Sequence, residues 1–289
     1  MKRILITGAN GFIGKNLLSY LKNKYTVLAP SHKELDLLDE QATYDYFASH
    51  PVDIVIHCAV VGGSRNEEYV KGMFYDNVRI FFNIVRCKKY FKRMINIGSG
   101  AEYDKRYPIV DVKEDAIDKR IPSDEYGLYK YVCANYINKT DTIVDLRVFG
   151  MFGEGEDYRY RFISNAICRK LFNKPITLGQ DVVFDYMDIK DFQKIVAYFV
   201  VNKPKFHCYN IGSSKKINLT MIASKIHLIS GEKGETLVKK PGLNNEYTCN
   251  CQRLYREMKS FKPTDFDVSI VRLYEWYKSN KASLDESSL

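Results

Sequence analysis

ILITGANGFIGKNLL, residues 4–18, runs from three apolar residues through a threonine into Gly8, Gly11 and Gly14, and then into Leu17 and Leu18. A short apolar run, glycines three apart and an apolar pattern at helical spacing read as strand, tight turn and helix. Glycine suits both a sharp turn and the close approach of a ligand to backbone. Such a turn aims free N–H groups and the positive end of a helix at an anion, which makes Gly8, Asn10, Gly11, Phe12, Ile13 and Gly14 candidates for holding a dinucleotide pyrophosphate. A glycine-rich turn without a ligand is the plain alternative. First-strand placement and the amphipathic helix behind it argue for the ligand.

Working outward, RILIT (3–7), YTVLA (25–29), DIVIHCA (53–59), RMINIG (93–98) and TIVDLRVF (142–149) are strand-length apolar runs. Between them, segments 12–24, 39–50, 77–91 and 123–139 carry apolar residues at three- and four-residue spacing, with Asp39 and Ser123 as expected N-caps. Apolar strands alternating with helices predict an α/β fold, a Rossmann-type doubly wound parallel sheet covered on both faces. After Gly150 the rhythm loosens into aromatic and arginine-bearing segments with the turn signals KPGLNN and FKPTDF. The expected layout is a dinucleotide-binding domain over residues 1–150, with returning segments near 176–212. A smaller C-terminal substrate-binding lobe spans 151–175 and 213–280, and residues 281–289 form a frayed end.

The chain has 289 residues, 45% of them hydrophobic, enough for one large α/β domain or a domain with a lobe. Its net charge of +9 is spread along the sequence rather than held in one block, which reads as solvated surface suited to anionic small substrates and not as a nucleic-acid patch. The seven cysteines include no C-x-x-C pair, so no disulfide framework, zinc site or other metal is expected. The first strand follows Met1 directly and no apolar run reaches membrane-spanning length, so a cytoplasmic protein without membrane partners is the expectation. IVAYFVV (195–201) reads as a buried helix or strand.

TGANGFIG, with its G-x-x-G-x-x-G spacing, resembles the extended short-chain dehydrogenase/reductase superfamily, that of the NAD-dependent epimerases and dehydratases. Residues 31–63, SHKELDLLDEQATYDYFASHPVDIVIHCAVVGG, look like the GDP-fucose synthase branch. YDNVRIFFNIV, FDYMDIKDF, YNIGS and WYKSN carry a weaker likeness along nearly the whole chain. The resemblance implies a homodimer built through helices beginning near Asn77 and Ser123.

Cofactor choice turns on the end of the second strand, where a carboxylate would hold an NAD ribose and repel a 2′-phosphate. Ser31, His32 and Lys33 stand there, which favours NADP(H) over NAD(H), unless Glu34 swings round to the ribose. By resemblance, Asp36 and Leu37 flank the adenine, and Cys58, Ala59, Val60 and Phe149 complete the cofactor contacts.

Tyr126 and Lys130 in EYGLYK lie four residues apart, hence one helical turn apart on one face. Five other Y-x-x-x-K pairs occur, at Tyr20/Lys24, Tyr186/Lys190, Tyr255/Lys259, Tyr274/Lys278 and Tyr277/Lys281, so spacing alone selects none. Only 126/130 sits on the helix between the fourth and fifth strands, behind a strand-end serine, where the superfamily keeps its catalytic Tyr and Lys. A phenol with a reference pKa of about 10 needs a neighbouring ammonium to exchange protons near neutrality. Lys130 supplies that field and holds the cofactor ribose, and Ser99 donates to a substrate carbonyl. A serine in a strand-terminal turn and a surface Tyr/Lys pair are the bland readings of the same residues.

The reaction is read from what surrounds Ser99. GDP-fucose synthases pair their serine with a nearby cysteine and use a histidine after the next strand for epimerisation, whereas the superfamily's dehydratases place an Asp-Glu pair directly after the serine or threonine. This chain has Gly100 and Ala101 there, and no histidine between Cys58 and Phe206. Glu102 comes one residue late, and strand alternation turns it away from the crevice unless a bulge restores it. The expectation is NAD(P)H-dependent reduction of a 4-keto (deoxy)sugar nucleotide for polysaccharide synthesis, with Tyr126 as proton donor. A C4 epimerase holding NAD tightly, a dehydratase using Glu102, and a non-catalytic dinucleotide sensor stand as alternatives. Expected substrate contacts are Val61, Gly62, Gly63 and Ser64 overhanging the crevice; Ser99, Gly100, Ala101, Tyr126 and Gly150; and Arg159, Arg161 and Arg169 as diphosphate partners. Gly150 replaces a common asparagine, and Phe184 the arginine of the RDY-like motif.

Overall fold

The computed structural model describes residues 1–62 and 70–289, and in it the opening stretch folds as strand, turn and helix. Strand β1 (Arg3–Thr7) enters the turn and helix α1 (Phe12–Leu21) leaves it. Gly8 takes a left-handed φ of +67°, and a Cβ there would sit 2.6 Å from the Ala59 nitrogen. A Cβ on Gly14 would come within 2.2 Å of the Gly8 carbonyl oxygen. Only glycines allow the helix to start this close to the strand.

After α1 come β2 (Thr26–Leu28), α2 (Glu40–Ser49), β3 (Val52–His57), α3 (Met73–Arg86), β4 (Phe91–Ser99), β5 (Ile109–Val112), α4 (Glu125–Ile137), β6 (Ile143–Val148) and β7 (Gly150–Phe152). The chain continues through α5 (Phe162–Leu171), β8 (Ile176–Asp181), β9 (Val183–Asp188), α6 (Ile189–Val201), β10 (Cys208–Ile211), β11 (Lys216–Asn218), α7 (Leu219–Ser230), β12 (Thr236–Leu243), β13 (Tyr247–Cys249), α8 (Gln252–Glu257) and α9 (Phe266–Ser279).

A parallel sheet of six strands, in the order β10-β6-β4-β3-β1-β2, forms the main body. Successive residues bury opposite faces, which explains the unbroken apolar runs. Ile4, Ile6, Ile54, Ile56, Ile95 and Ile97 pack with α1 and α6, while Leu5, Val55 and Met94 pack with α2, α3 and α4. The connection direction reverses between β1 and β3, opening a crevice beyond the strand ends.

Asp39 caps α2 as expected, accepting from the Ala42 nitrogen at 2.9 Å. Ser123 does not cap α4; Asp124 does, through the Gly127 nitrogen at 2.9 Å. A carboxylate at the positive helix end is the stronger acceptor, and such a cap is worth about 1 kcal/mol.

The smaller lobe is built on Phe152, Ile163, Ile167, Ile176, Leu178, Ile222, Ile226, Ile270 and Leu273. β8 pairs with β12, and β11-β9-β13-β5 form a second sheet. The segment returning to the main sheet is therefore shorter at its start than 176–212: β8 and β9 pair with lobe strands, and the return begins with α6 and β10. Leu254 and Met258 also join the α6 face. Residues 281–289 carry two short 3-10 turns, with Leu284 and Leu289 partly packed on the lobe core. Among the described residues no helix is long and apolar enough to cross a membrane.

Candidate active site

A cleft of about 340 Å³ lies at the ends of β1 and β3, walled by Gly8, Gly11, His32, Asp36, Leu37, Cys58, Ala59, Val60 and Val61. It joins about half of the residues expected to hold the cofactor, and Val61 lies in the same wall. Thr7, Pro30, Leu35, Leu38 and Ile80 complete the wall. Gly14 is buried behind the turn, Phe12 and Ile13 pack towards the sheet core, and Lys33 points to solvent. Asn10 is exposed at the turn. The Ser31 nitrogen donates to Glu34 at 2.7 Å, and this bond holds the exposed carboxyl below the usual range. Exposed His32 faces Asp36 at 3.8 Å. The cleft is thus lined to take an adenosine between apolar walls, with the glycine turn offering N–H groups to phosphates.

Ser99 ends β4, and α4 carries Tyr126 and Lys130. The two elements touch: a Cβ on Gly127 would lie 2.9 Å from the Ala101 carbonyl, so the first turn of α4 rests on the turn that follows Ser99. Lys130 is buried and donates to the Ile97 carbonyl of β4. Its nitrogen lies 5.9 Å from the Tyr126 ring centre and 5.0 Å from that of Tyr129. Burial opposes its charge, but Tyr129, Tyr126 and Asp145 outweigh burial and hold Lys130 above the ordinary lysine value. Tyr126 is half-buried, and on its other side Lys105 sits 5.7 Å from the ring centre. The arrangement is a partly exposed phenol over a fixed, buried ammonium, beside a strand-end hydroxyl.

The Ser99 hydroxyl oxygen accepts from the Ala101 nitrogen at 3.1 Å, while Glu102 reaches back to accept from the Ser99 nitrogen at 2.9 Å. This capping box turns Glu102 inward. Its other oxygen lies 2.7 Å from Nε of Arg147, which also faces Asp145 at 3.3 Å, and all three side chains are fully buried. Arg147 further donates to the Tyr103 hydroxyl at 2.8 Å and to the Glu114 carbonyl at 2.9 Å. Burial and the neighbouring Asp145 push the Glu102 carboxyl well above its usual range, against the pull of Arg147. No oxygen of Glu102 points to solvent.

Gly100 and Ala101 are buried. A Cβ on Gly100 would meet the Tyr247 hydroxyl at 2.5 Å and Phe149 at 2.8 Å, so Phe149 walls this turn. Tyr247, on a three-residue strand of the lobe, carried no sequence signal. Gly150 leaves no room for asparagine: its Cβ would lie 2.6 Å from the Asp185 carbonyl oxygen. It packs under β9 and presents no side chain to a substrate. Of the three arginines, Arg159 forms a two-pronged pair with Asp157 at 2.9 and 2.8 Å, and Arg169 donates to the Pro175 carbonyl at 2.7 Å. Both guanidiniums are taken locally; Arg161, at the start of α5, is exposed. Gly62 has a φ of +70° beside Met73, and Gly63 and Ser64 lie outside the described residues.

Asp185, Cys249 and Cys251 form one buried group of metal-ligand type among the described residues. Their geometry has a structural explanation. Asp185 accepts from the Ser213 nitrogen at 2.6 Å, the Ser213 hydroxyl at 2.9 Å and the Ser214 nitrogen at 2.9 Å, which pins the loop after β10. Burial pushes its carboxyl up to about 6 in spite of these bonds.

The sequence pattern of the NAD dependent epimerase/dehydratase family matches residues 4–212. GDP-L-fucose synthase of Escherichia coli K12 is 30% identical, the match covering 97% of this chain and 98% of that protein. GDP-L-colitose synthase of Yersinia pseudotuberculosis is 26% identical, over 82% of this chain and 85% of that protein. Among solved structures, a GDP-mannoheptose C4 reductase of Campylobacter jejuni with NADP bound superposes with a TM-score of 0.81 at 19% identity, covering 96% of this chain and 98% of that one. The glycine turn, the crevice at the reversal of the sheet, the Tyr/Lys pair on α4 and these likenesses agree: the chain belongs to the NAD dependent epimerase/dehydratase family and is an NAD(P)-dependent enzyme of the oxidoreductase/epimerase kind.

Proposed function

We propose that this enzyme reduces the 4-keto group of a nucleotide-activated deoxysugar with NADPH, as a cytoplasmic homodimer serving polysaccharide synthesis. The observation that carries the reading is the setting of Ser99: a Ser/Tyr/Lys set beside two residues, Gly100 and Ala101, that offer no acid or thiol, with Glu102 locked onto Arg147. Elimination needs an acid and a base at adjacent carbons, and epimerisation beside a ketone needs a base on one face of the carbon and an acid on the other. Here the acid that this reading uses is Tyr126, with Lys130 beside its ring. The relatives named for GDP-sugar synthases support a nucleotide-sugar substrate.

The residues divide the reduction as follows. When bound, the reduced nicotinamide supplies the hydride that forms the new C–H bond. Ser99 donates a hydrogen bond to the carbonyl oxygen and sets its distance from Tyr126. As the carbonyl π pair moves onto oxygen, Tyr126 gives its phenolic proton to that oxygen, closing the alcohol. The phenolate left behind is stabilised by the Lys130 ammonium, whose position is fixed by the Ile97 carbonyl, until solvent reprotonates it. His32 at the cleft wall supports NADP(H) by offering a donor to a 2′-phosphate.

The test mixes the protein with 4-keto-6-deoxy sugar nucleotides and NADPH and follows absorbance together with sugar products. Stoichiometric NADPH oxidation, falling about 100-fold or more in Tyr126→Phe, is the expected result. Turnover with no net cofactor consumption would move the assignment to C4 epimerisation. Size-exclusion mass measurement checks the dimer.

A further inference from the structure

The Tyr247 phenol enters the active site from the other lobe. β13 is paired with β5 at Tyr247↔Ile109 and with β9 at Tyr247↔Phe184, so the backbone holds the ring's origin on both sides. The ring lies against Phe149, with centres 4.8 Å apart at 38°, and meets Phe184 edge-on at 5.8 Å and 69°. Between these two rings the side chain has little freedom to turn. Its hydroxyl ends in the space where a side chain at position 100 would begin, 2.5 Å from the ideal Cβ of Gly100, and faces the Ser99 hydroxyl. The same phenol lies near Tyr126.

Three hydroxyls therefore meet at the end of β4, in different settings. Tyr126 has Lys130 beneath it and can release a proton. Burial drives the Tyr247 phenol well above its ordinary value, so it stays protonated throughout the working range. Such a group can donate a hydrogen bond but cannot serve as the acid. Ser99 already accepts from the Ala101 nitrogen. One further donor on the serine oxygen leaves the serine proton a single useful direction, towards the substrate.

We infer that Tyr247 is a positioning residue for Ser99: its hydroxyl, delivered by the C-terminal lobe into the room left by Gly100, donates to the serine oxygen and aims the serine proton at the sugar carbonyl. The inference rests on the proposed reduction. It makes the docking of β13 against the main sheet part of the catalytic geometry. It also gives a physical reason for glycine at position 100, since any side chain there would displace the phenol.

The experiment is a double-mutant cycle on the full chain with NADPH and a 4-keto-6-deoxy sugar nucleotide. Tyr247→Phe keeps the ring between Phe149 and Phe184, and thermal unfolding with NADPH titration confirms folding and cofactor binding. A single neutral hydrogen bond corresponds to a loss of roughly threefold to tenfold in kcat, with KM changed little. In a Ser99→Ala background the same substitution is expected to cost nothing, because the group it orients is gone. Equal losses in both backgrounds would assign Tyr247 a structural or direct substrate role and overturn the inference, as would wild-type kcat in Tyr247→Phe. Gly100→Ala is the second arm: its methyl would meet the Tyr247 hydroxyl at 2.5 Å and the Phe149 ring at 2.8 Å, so it should lower kcat at least as much as Tyr247→Phe. Full activity in Gly100→Ala is a further refuting result. If the wild-type protein reduces no such substrate, the proposed function fails and this inference with it. Reduction with an additive cycle sinks this inference alone.

Discussion

Acid should destabilise this protein through one residue in particular, His57. The imidazole sits at the end of β3 with Nδ1 2.8 Å from the Thr7 hydroxyl, and it is 7% exposed. Burial, reinforced by the charge of Lys130 from α4, lowers its pKa from 6.5 to about 3. The sign follows from proton counting: below about pH 6.5 the unfolded chain binds a proton at this histidine and the folded chain does not, so stability falls with falling pH. Above that point the contribution is fully present. Each unit of difference is worth about 1.4 kcal/mol, so the whole window from 6.5 down to about 3 corresponds to roughly 5 kcal/mol. Between about pH 7.5 and pH 5 the loss from this residue is about 2 kcal/mol. The assay is urea unfolding of the wild type and of His57→Asn at both pH values. Asparagine removes the titration and keeps a polar partner for Thr7, and its cavity cost is the same at both pH values and cancels. The variant should lose about 2 kcal/mol less than the wild type on acidification. Parallel losses in the two proteins would show that His57 titrates normally and that the burial argument is wrong.

Two further outcomes follow from the cofactor cleft. Gly14→Ala places a methyl 2.2 Å from the Gly8 carbonyl oxygen and 2.8 Å from the Ala9 Cα, neither of which can swing aside. Overpacking of this kind costs about 1–3 kcal/mol, and it should weaken dinucleotide binding at least about tenfold in a fluorescence titration. Unchanged affinity would mean that the turn does not hold the pyrophosphate. Glu34→Gln removes a carboxylate held on the Ser31 nitrogen at the wall expected to meet a 2′-phosphate. NADPH affinity should rise roughly threefold to tenfold relative to NADH, more at low salt, and an unchanged ratio at low salt would place the phosphate elsewhere.

What the sequence made legible is what rests on local spacing. The glycine turn, the apolar strand runs and the Tyr126/Lys130 register are properties of neighbouring residues, and each folds as its spacing predicts. Selecting one of the six Y-x-x-x-K pairs required the order of elements, which was readable too. The local pairing of one arginine was legible as well: Asp157 stands two residues before Arg159 and pairs with it. Tyr247 lay beyond reach, because its role depends on a three-residue strand pairing with β5 and β9, far away in the chain. The boundary of the returning segment was hidden likewise, since it is set by the strands that β8 and β9 pair with.

The inward turn of Glu102 follows from the needs of Arg147. A guanidinium with no exposed surface must be compensated, and breaking such a buried pair costs about 3–5 kcal/mol. Asp145 faces it at 3.3 Å and Glu102 at 2.7 Å, so the acid nearest Ser99 is held against Arg147. An elimination enzyme would need a second acid free in the crevice. Position 101 is buried, and position 100 is filled by the Tyr247 hydroxyl and the Phe149 ring. Adding an acid at 100 therefore cannot confer dehydratase chemistry by itself; the phenol must go first, and with it the orientation of Ser99. Reduction and elimination compete here for the same few cubic ångströms beside one serine, and this chain fills them with a hydroxyl that donates hydrogen bonds without ionising.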